Sequence, residues 1–156
     1  MAPGIDQRTN KQSVSASRVI DAPAATIFTV ITDVTLHPVI DGSGSVRSAA
    51  STAPPLQLGS KFAMNMRIGV PYRMSSTVVE FQQDRLIAWQ HLGHHRWRYE
   101  LREVEGGTEV TETFDWSMSR APKLLELIHA PTRNLRSIEQ TLERLDAFVT
   151  NRAHAF

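Results

Sequence analysis

The stretch WRYELREVEGGTEVTETFDWS, residues 97 to 117, carries the reading that decides the fold. With His95 ahead of it, His95, Trp97, Tyr99 and Leu101 alternate with Arg96, Arg98, Glu100 and Arg102, the period of two that a half-buried strand requires. One face is aromatic and the other charged. Gly106-Gly107 then turns the chain into a second alternating run, Thr108 to Met118, in which Val110, Phe114, Trp116 and Met118 share a face with Glu112. Two adjacent strands with matching inward faces predict an antiparallel hairpin.

Working outward, Tyr72 to Phe81 and Leu86 to His91 read as two more strands joined across Gln82 to Arg85. Before them, Phe62, Met64, Met66 and Ile68 alternate with Lys61, Ala63, Asn65 and Arg67, and Gly69-Val70-Pro71 breaks that run. Val46 to Ala50 is a weaker strand ahead of the extended Ala53-Pro54-Pro55. A first strand is expected over Val14 to Ile20. It is followed by a helix that Asp21 caps, carrying Ile27, Val30, Ile31 and Val34 and stopping before His37-Pro38. Asp41-Gly42-Ser43-Gly44 lacks the Lys and following helix of a phosphate loop and reads as a turn. In the last third the period changes: Leu135, Ile138, Leu142, Leu145 and Val149 recur three and four apart, an amphipathic helix, and Leu124 to Ile128, between Pro122 and Pro131, reads as a preceding helical turn or the first, kinked part of the same helix.

The chain has 156 residues, 41% hydrophobic and 21% charged, which suits one globular domain of residues 13–152 behind a frayed, disordered tail, 1–12. With 17 basic against 16 acidic residues, the net charge of +1 offers nucleic acid no electrostatic footprint. The absence of cysteine excludes disulfides, thiolate metal sites and a cysteine nucleophile. No run reaches transmembrane length and the opening residues lack a signal peptide's apolar stretch, so the cytoplasm is the expected location and no integral membrane association is expected.

Strand, short helices, antiparallel meander and long C-terminal helix is the order of the helix-grip fold. With IDAPAATIFTVITDV at 20 to 34, DGSGSV at 41 to 46, LIAWQH at 86 to 91 and the opening stretch, the chain resembles the START-like (SRPBCC) superfamily. The likeness is to its polyketide cyclase/dehydrase and lipid-transport branch, over roughly residues 14 to 150. The resemblance implies an α+β fold in which a curved antiparallel sheet wraps the C-terminal helix around a cavity, with two short helices after the first strand. It also implies a hydrophobic small-molecule ligand such as a lipid, sterol or polyketide. The scaffold hosts many functions, and no catalytic motif carries over.

On that fold Met64, Met66, Met74, Trp89, Trp97, Tyr99, Phe114 and Trp116 fall on the concave face, where thioethers and rings suit an adaptable apolar site. Phe28, Ile31, Leu135 and Ile138 complete the expected ligand-binding set. These side chains either line a cavity or simply pack against the last helix. His91, His94 and His95 cluster, but no nearby carboxylate completes a ligand set; no metal and no cofactor are expected. Candidate proton-transfer groups are His91, His95, Tyr99 and Glu112, the last because a carboxylate on an apolar face must find a partner or take up a proton. Asp33 and His37, four apart, read as a solvated contact. Arg96, Arg98 and Arg102 read as a solvated sheet exterior opposite acidic partners. Three functions follow: carriage or sensing of a hydrophobic ligand, a cyclase/dehydrase using the same pocket, or a structural or homodimerising module with a filled core.

Overall fold

In the computed structural model, which describes residues 6–10, 12–49 and 54–153, eight antiparallel strands form one curved sheet around a long C-terminal helix. The strands are β1 (Asp6–Asn10), β2 (Ser13–Ile20), β3 (Val46–Ala49), β4 (Lys61–Ile68), β5 (Val70–Gln82), β6 (Leu86–His91), β7 (Arg96–Val104) and β8 (Gly107–Asp115). Their spatial order, β1-β2-β8-β7-β6-β5-β4-β3, makes β3 to β8 a meander closed by the pairing of β2 on β8. The helices are α1 (Ala24–Thr32), α2 (His37–Ile40), α3 (Pro122–Leu127) and α4 (Ala130–Ala153).

The two periods in the sequence become the two halves of the core. Thr108, Val110, Glu112 and Phe114 of β8 are buried while their neighbours are not. On α4, Ile138, Leu142, Leu145 and Val149 form a stripe that packs on β2 and β8. Burying a Leu or Ile contributes about 1.5–3 kcal/mol each. The outer face of the sheet is a lattice of ion pairs, with Arg98 2.7 Å from Glu80 and Arg102 2.9 Å from Glu109.

Several expectations need correction. Asp6–Asn10, read as part of a frayed tail, adds a strand to the open edge of β2, where backbone amides and carbonyls would otherwise lack partners. Residues 1–5 and 11 of that tail, and 50–53 of the expected linker and strand end, lie outside the described residues. Asp21 does not cap α1: its N-cap is Pro23, with no side-chain bond, and Asp33 instead caps a 3-10 turn over Val34–Leu36. His37-Pro38 begins α2 instead of merely ending a helix, because proline is tolerated in a first turn. Met118 lies beyond the end of β8, in a turn, and is exposed; Ile68 at the β4–β5 hairpin is also exposed. In β5 a bulge between Val78 and Glu80 reverses the alternation, so Met74, Ser76 and Val78 face inward but so does Phe81, which packs edge-on against Phe28.

Candidate functional site

Between the meander and the N-terminal turns of α4 lies a cavity of about 420 Å³. Strands β4 to β8 supply its apolar wall: Phe62, Met64, Met66, Met74, Trp89, Trp97, Tyr99 and Phe114 all line it, joined by Ile31 from α1 and Ile40 from α2. The rings touch in sequence, Phe62 to Trp89 at 5.5 Å, Trp89 to Tyr99 at 5.6 Å and Trp97 to Phe114 at 4.9 Å. Contacts of this kind are worth about 0.5–1.5 kcal/mol beyond area burial and keep the wall in place.

The loop after α2 closes another side. Asp41 accepts hydrogen bonds from the amides of Ser43 and Val46, the Gly42 amide donates to Thr141 Oγ1 at 2.9 Å, and Arg144 donates to the Asp41 carbonyl at 2.7 Å. A Cβ on Gly42 would stand 2.5 Å from both the Ser137 carbonyl oxygen and the Gln140 Cβ, so only glycine lets the loop approach α4 this closely.

Polar groups converge on this apolar space. Strand pairing sets Glu112 opposite Tyr99, whose hydroxyl donates to Glu112 Oε1 at 2.8 Å. The other carboxyl oxygen, Oε2, is buried without a partner among the described residues. Burial pushes the Glu112 pKa up to about 8; the Tyr99 bond opposes that shift and the negative charge of Asp41 adds to it. Tyr99 is itself raised well above its ordinary value, by burial and then by the neighbouring carboxyl. His91 Nδ1 lies 2.7 Å from the Ser76 hydroxyl, and its ring centroid is 4.8 Å from that of His95. Burial, reinforced by His95, pushes His91 down to about 3, and burial lowers His95 as well. Both imidazoles are therefore neutral at pH 7, in the same cavity as a carboxyl that is largely protonated.

The four candidate proton-transfer groups, His91, His95, Tyr99 and Glu112, thus line one cavity, with Ile31 and the six further ring and methionine side chains Met64, Met66, Met74, Trp89, Trp97 and Phe114. Phe28, Trp116, Leu135 and Ile138 do not line it. Phe28 and Ile138 are fully packed core, Leu135 rests against the core, and Trp116 stacks behind Phe114 while its indole N–H donates to Glu126. Sequence reasoning missed Phe62 as a lining residue, and also Tyr72, Ser76, Arg133 and Thr141.

His37 was misread as solvated. It is buried, stacks on Trp89 at 5.3 Å, and holds its Nε2 2.8 Å from the Ile31 carbonyl, which requires the N–H to sit there. Burial lowers its pKa. The Pro38 that follows it marks a helix start but not its aromatic surroundings, which come from β4 and β6.

Strand order, gripped helix and interior cavity define a helix-grip protein of the START-like kind. The family described as polyketide cyclase/dehydrase and lipid transport matches residues 11–149, and the chain belongs to it. It is 37% identical over 147 residues to Uncharacterized protein Rv0088 of Mycobacterium tuberculosis strain H37Rv, an alignment that covers 90% of this chain and 66% of that protein. The chain therefore spans slightly less than two thirds of that relative's length. Among solved structures it superposes on protein Ms6760 from Mycobacterium smegmatis with a TM-score of 0.71 at 16% identity, covering 96% of this chain and 99% of that one. It superposes on the AHSA1-like protein from Aeromonas hydrophila with a TM-score of 0.64 at 14% identity, covering 90% and 94%. At such identities the likeness is one of fold. Family and fold together point to a ligand-binding module, and among the described residues no helix is long and apolar enough to cross a membrane.

Proposed function

We propose that residues 13–152 form a single domain whose cavity binds a hydrophobic small molecule, of lipid, sterol or polyketide-like aromatic type, for carriage or sensing. The observation that supports this most is the cavity of about 420 Å³, walled by methionines and aromatic rings with a few convergent polar groups. That size and lining are those of small-molecule sites. A module with a filled core would not leave such a space between sheet and helix, because packed interiors have few voids larger than a water molecule.

Native mass spectrometry of the purified protein, followed by solvent extraction, tests the reading. The expected result is a co-purifying apolar compound at up to one equivalent, or, for ligand-free protein, saturable one-to-one binding of 1-anilinonaphthalene-8-sulfonate that quenches tryptophan emission. A protein with neither property would overturn the proposal.

A second reading, a cyclase/dehydrase acting in the same cavity, rests on a different observation. Glu112 is held protonated while His91 and His95 are held neutral, so a proton donor and proton acceptors share one wall. Under that reading Glu112→Gln preserves folding and ligand affinity and abolishes turnover, since the amide keeps shape and loses acidity. Retained turnover in that variant would remove Glu112 from any chemistry.

A further inference from the structure

Glu112 occupies an unusual position for a carboxyl group. The β8 register faces it inward between Val110 and Phe114, with Ala16 of β2 on one side and Tyr99 of β7 on the other. It is 3% exposed and lines the cavity. Tyr99 occupies Oε1 as a donor, which leaves Oε2 buried with no partner among the described residues. An ionised carboxylate in that setting would leave charge density on Oε2 uncompensated, a far costlier state than a neutral acid.

The groups around the cavity do not supply a compensating cation. His37 of α2, His91 of β6 and His95 just ahead of β7 all have lowered pKa values through burial. Asp41 is negative and disfavours a second anion, and Arg133 and Arg67 are exposed on the outer part of the lining. A protonated carboxyl resolves the problem on the protein side, but its Oε2 hydrogen then needs an acceptor, and a buried donor left unmade costs stability.

We propose that Glu112 stands protonated in the cavity wall and donates its Oε2 hydrogen to an uncharged carbonyl oxygen at the buried end of the ligand, so that the site selects hydrophobic ketones, quinones or esters over hydrocarbons of the same shape. The inference rests on the ligand-binding reading and names the chemical class that reading leaves open. Tyr99 acts as a positioning residue: by donating to Oε1 it fixes the carboxyl so that Oε2 is the free end, and the two bonds in series polarise one another.

The test uses 9-fluorenone and fluorene, which share a planar tricyclic skeleton and differ at the carbonyl. Titrations followed by tryptophan fluorescence give the affinity ratio of ketone to hydrocarbon for the wild type, Glu112→Leu and Glu112→Gln. At pH 6.5 the wild-type ratio is expected to exceed the Leu ratio about tenfold, the value of one buried hydrogen bond. The Gln variant keeps the preference, because its amide nitrogen donates from the same place. As pH rises through the titration of Glu112 the wild-type ratio falls to the Leu level or below, while the Gln ratio stays flat. Equal wild-type and Leu ratios with both probes bound, or a wild-type ratio indifferent to pH, would overturn the inference and leave ligand binding standing. Should the Leu variant fail to fold, the pH series on wild type and Gln decides alone. Failure of both probes to bind any form would overturn the inference, and the ligand-binding reading would then stand or fall on the native mass spectrometry above.

Discussion

The two halves of α4 face the same curved sheet and meet it differently. From Ile138 to Val149 the helix presents Ile138, Leu142, Leu145 and Val149, all fully buried, and the seam with β2 and β8 is solid. From Ala130 to Thr141 the side toward the cavity presents Ala130, Arg133, Asn134, Ser137 and Thr141, and there the seam opens. The helix continues without a break through both halves, so backbone geometry does not make the hollow. Side-chain volume does. Where the helical stripe is aliphatic it fills the concave face; where it turns small and polar, β4 and β5 are left facing space that methionines only partly occupy.

The sharpest way to break this comparison is to truncate one side chain on each side of it. Leu142→Ala in the solid half is expected to lower unfolding free energy by about 2–5 kcal/mol, because it removes a fully buried side chain and leaves a new void. Met74→Ala in the hollow half, where the residue is half-buried and already borders space, is expected to cost less than about 1 kcal/mol. Urea unfolding with a shared slope measures both. Equal losses would mean the cavity is not a genuine gap in packing.

That division also explains what the sequence disclosed. The stripe on α4 and the alternation around Trp97 and Glu112 were readable because a repeat of three-four or two reports burial directly. Depth along an element is not periodic, and for that reason Ile138 and Leu135 could be placed facing inward but not told apart from residues that line the cavity. The facing of β5 was hidden by the bulge at Val78 and Glu80, an extra residue with no local signature. His37 was hidden because its environment is built by Phe62 and Trp89, far away in the chain. Strand β1 was invisible since a polar edge strand needs no apolar alternation; what places it is backbone pairing with β2.

The hollow half should also write itself into the pH dependence of stability. Glu112 has a folded pKa of about 8 against 4.5 unfolded, so between those values the folded state binds the extra proton and stability falls as pH rises. His91 has a folded pKa of about 3 against 6.5, so between those values the unfolded state binds the extra proton and stability rises with pH; His37 and His95 act in the same direction. The opposing slopes overlap between pH 4.5 and 6.5, which places the maximum near 6.5. Above it the Glu112 contribution lowers stability by about 1.4 kcal/mol per unit, for a loss of roughly 2 kcal/mol by pH 8. Glu112→Gln should flatten that limb and leave the acid limb unchanged. A wild-type profile level from pH 6.5 to 8 would show that Glu112 is ionised in the fold and would remove the protonated carboxyl from the cavity wall.

Trp97 gives the finest distinction. Pleating turns it inward with Tyr99 while Arg98, bonded to Glu80, points out, yet Trp97 is only half-buried and its ring has Phe114 on one side and the cavity on another. Removing a fully packed tryptophan costs about 3–5 kcal/mol, part of it for the void created. Here much of that void exists already, so Trp97→Ala should cost about 1–2 kcal/mol, chiefly the lost ring contact and transfer of the half that is covered. The same variant should widen the cavity and weaken binding of a planar aromatic probe such as fluorene, since one stacking wall is gone. Trp116→Ala provides the control: Trp116 is 3% exposed, lies behind Phe114 and bonds Glu126, so its loss should fall in the full range for a packed ring. If Trp97→Ala proved as damaging as Trp116→Ala, the wall at Trp97 would be core and the hollow would have to end short of it.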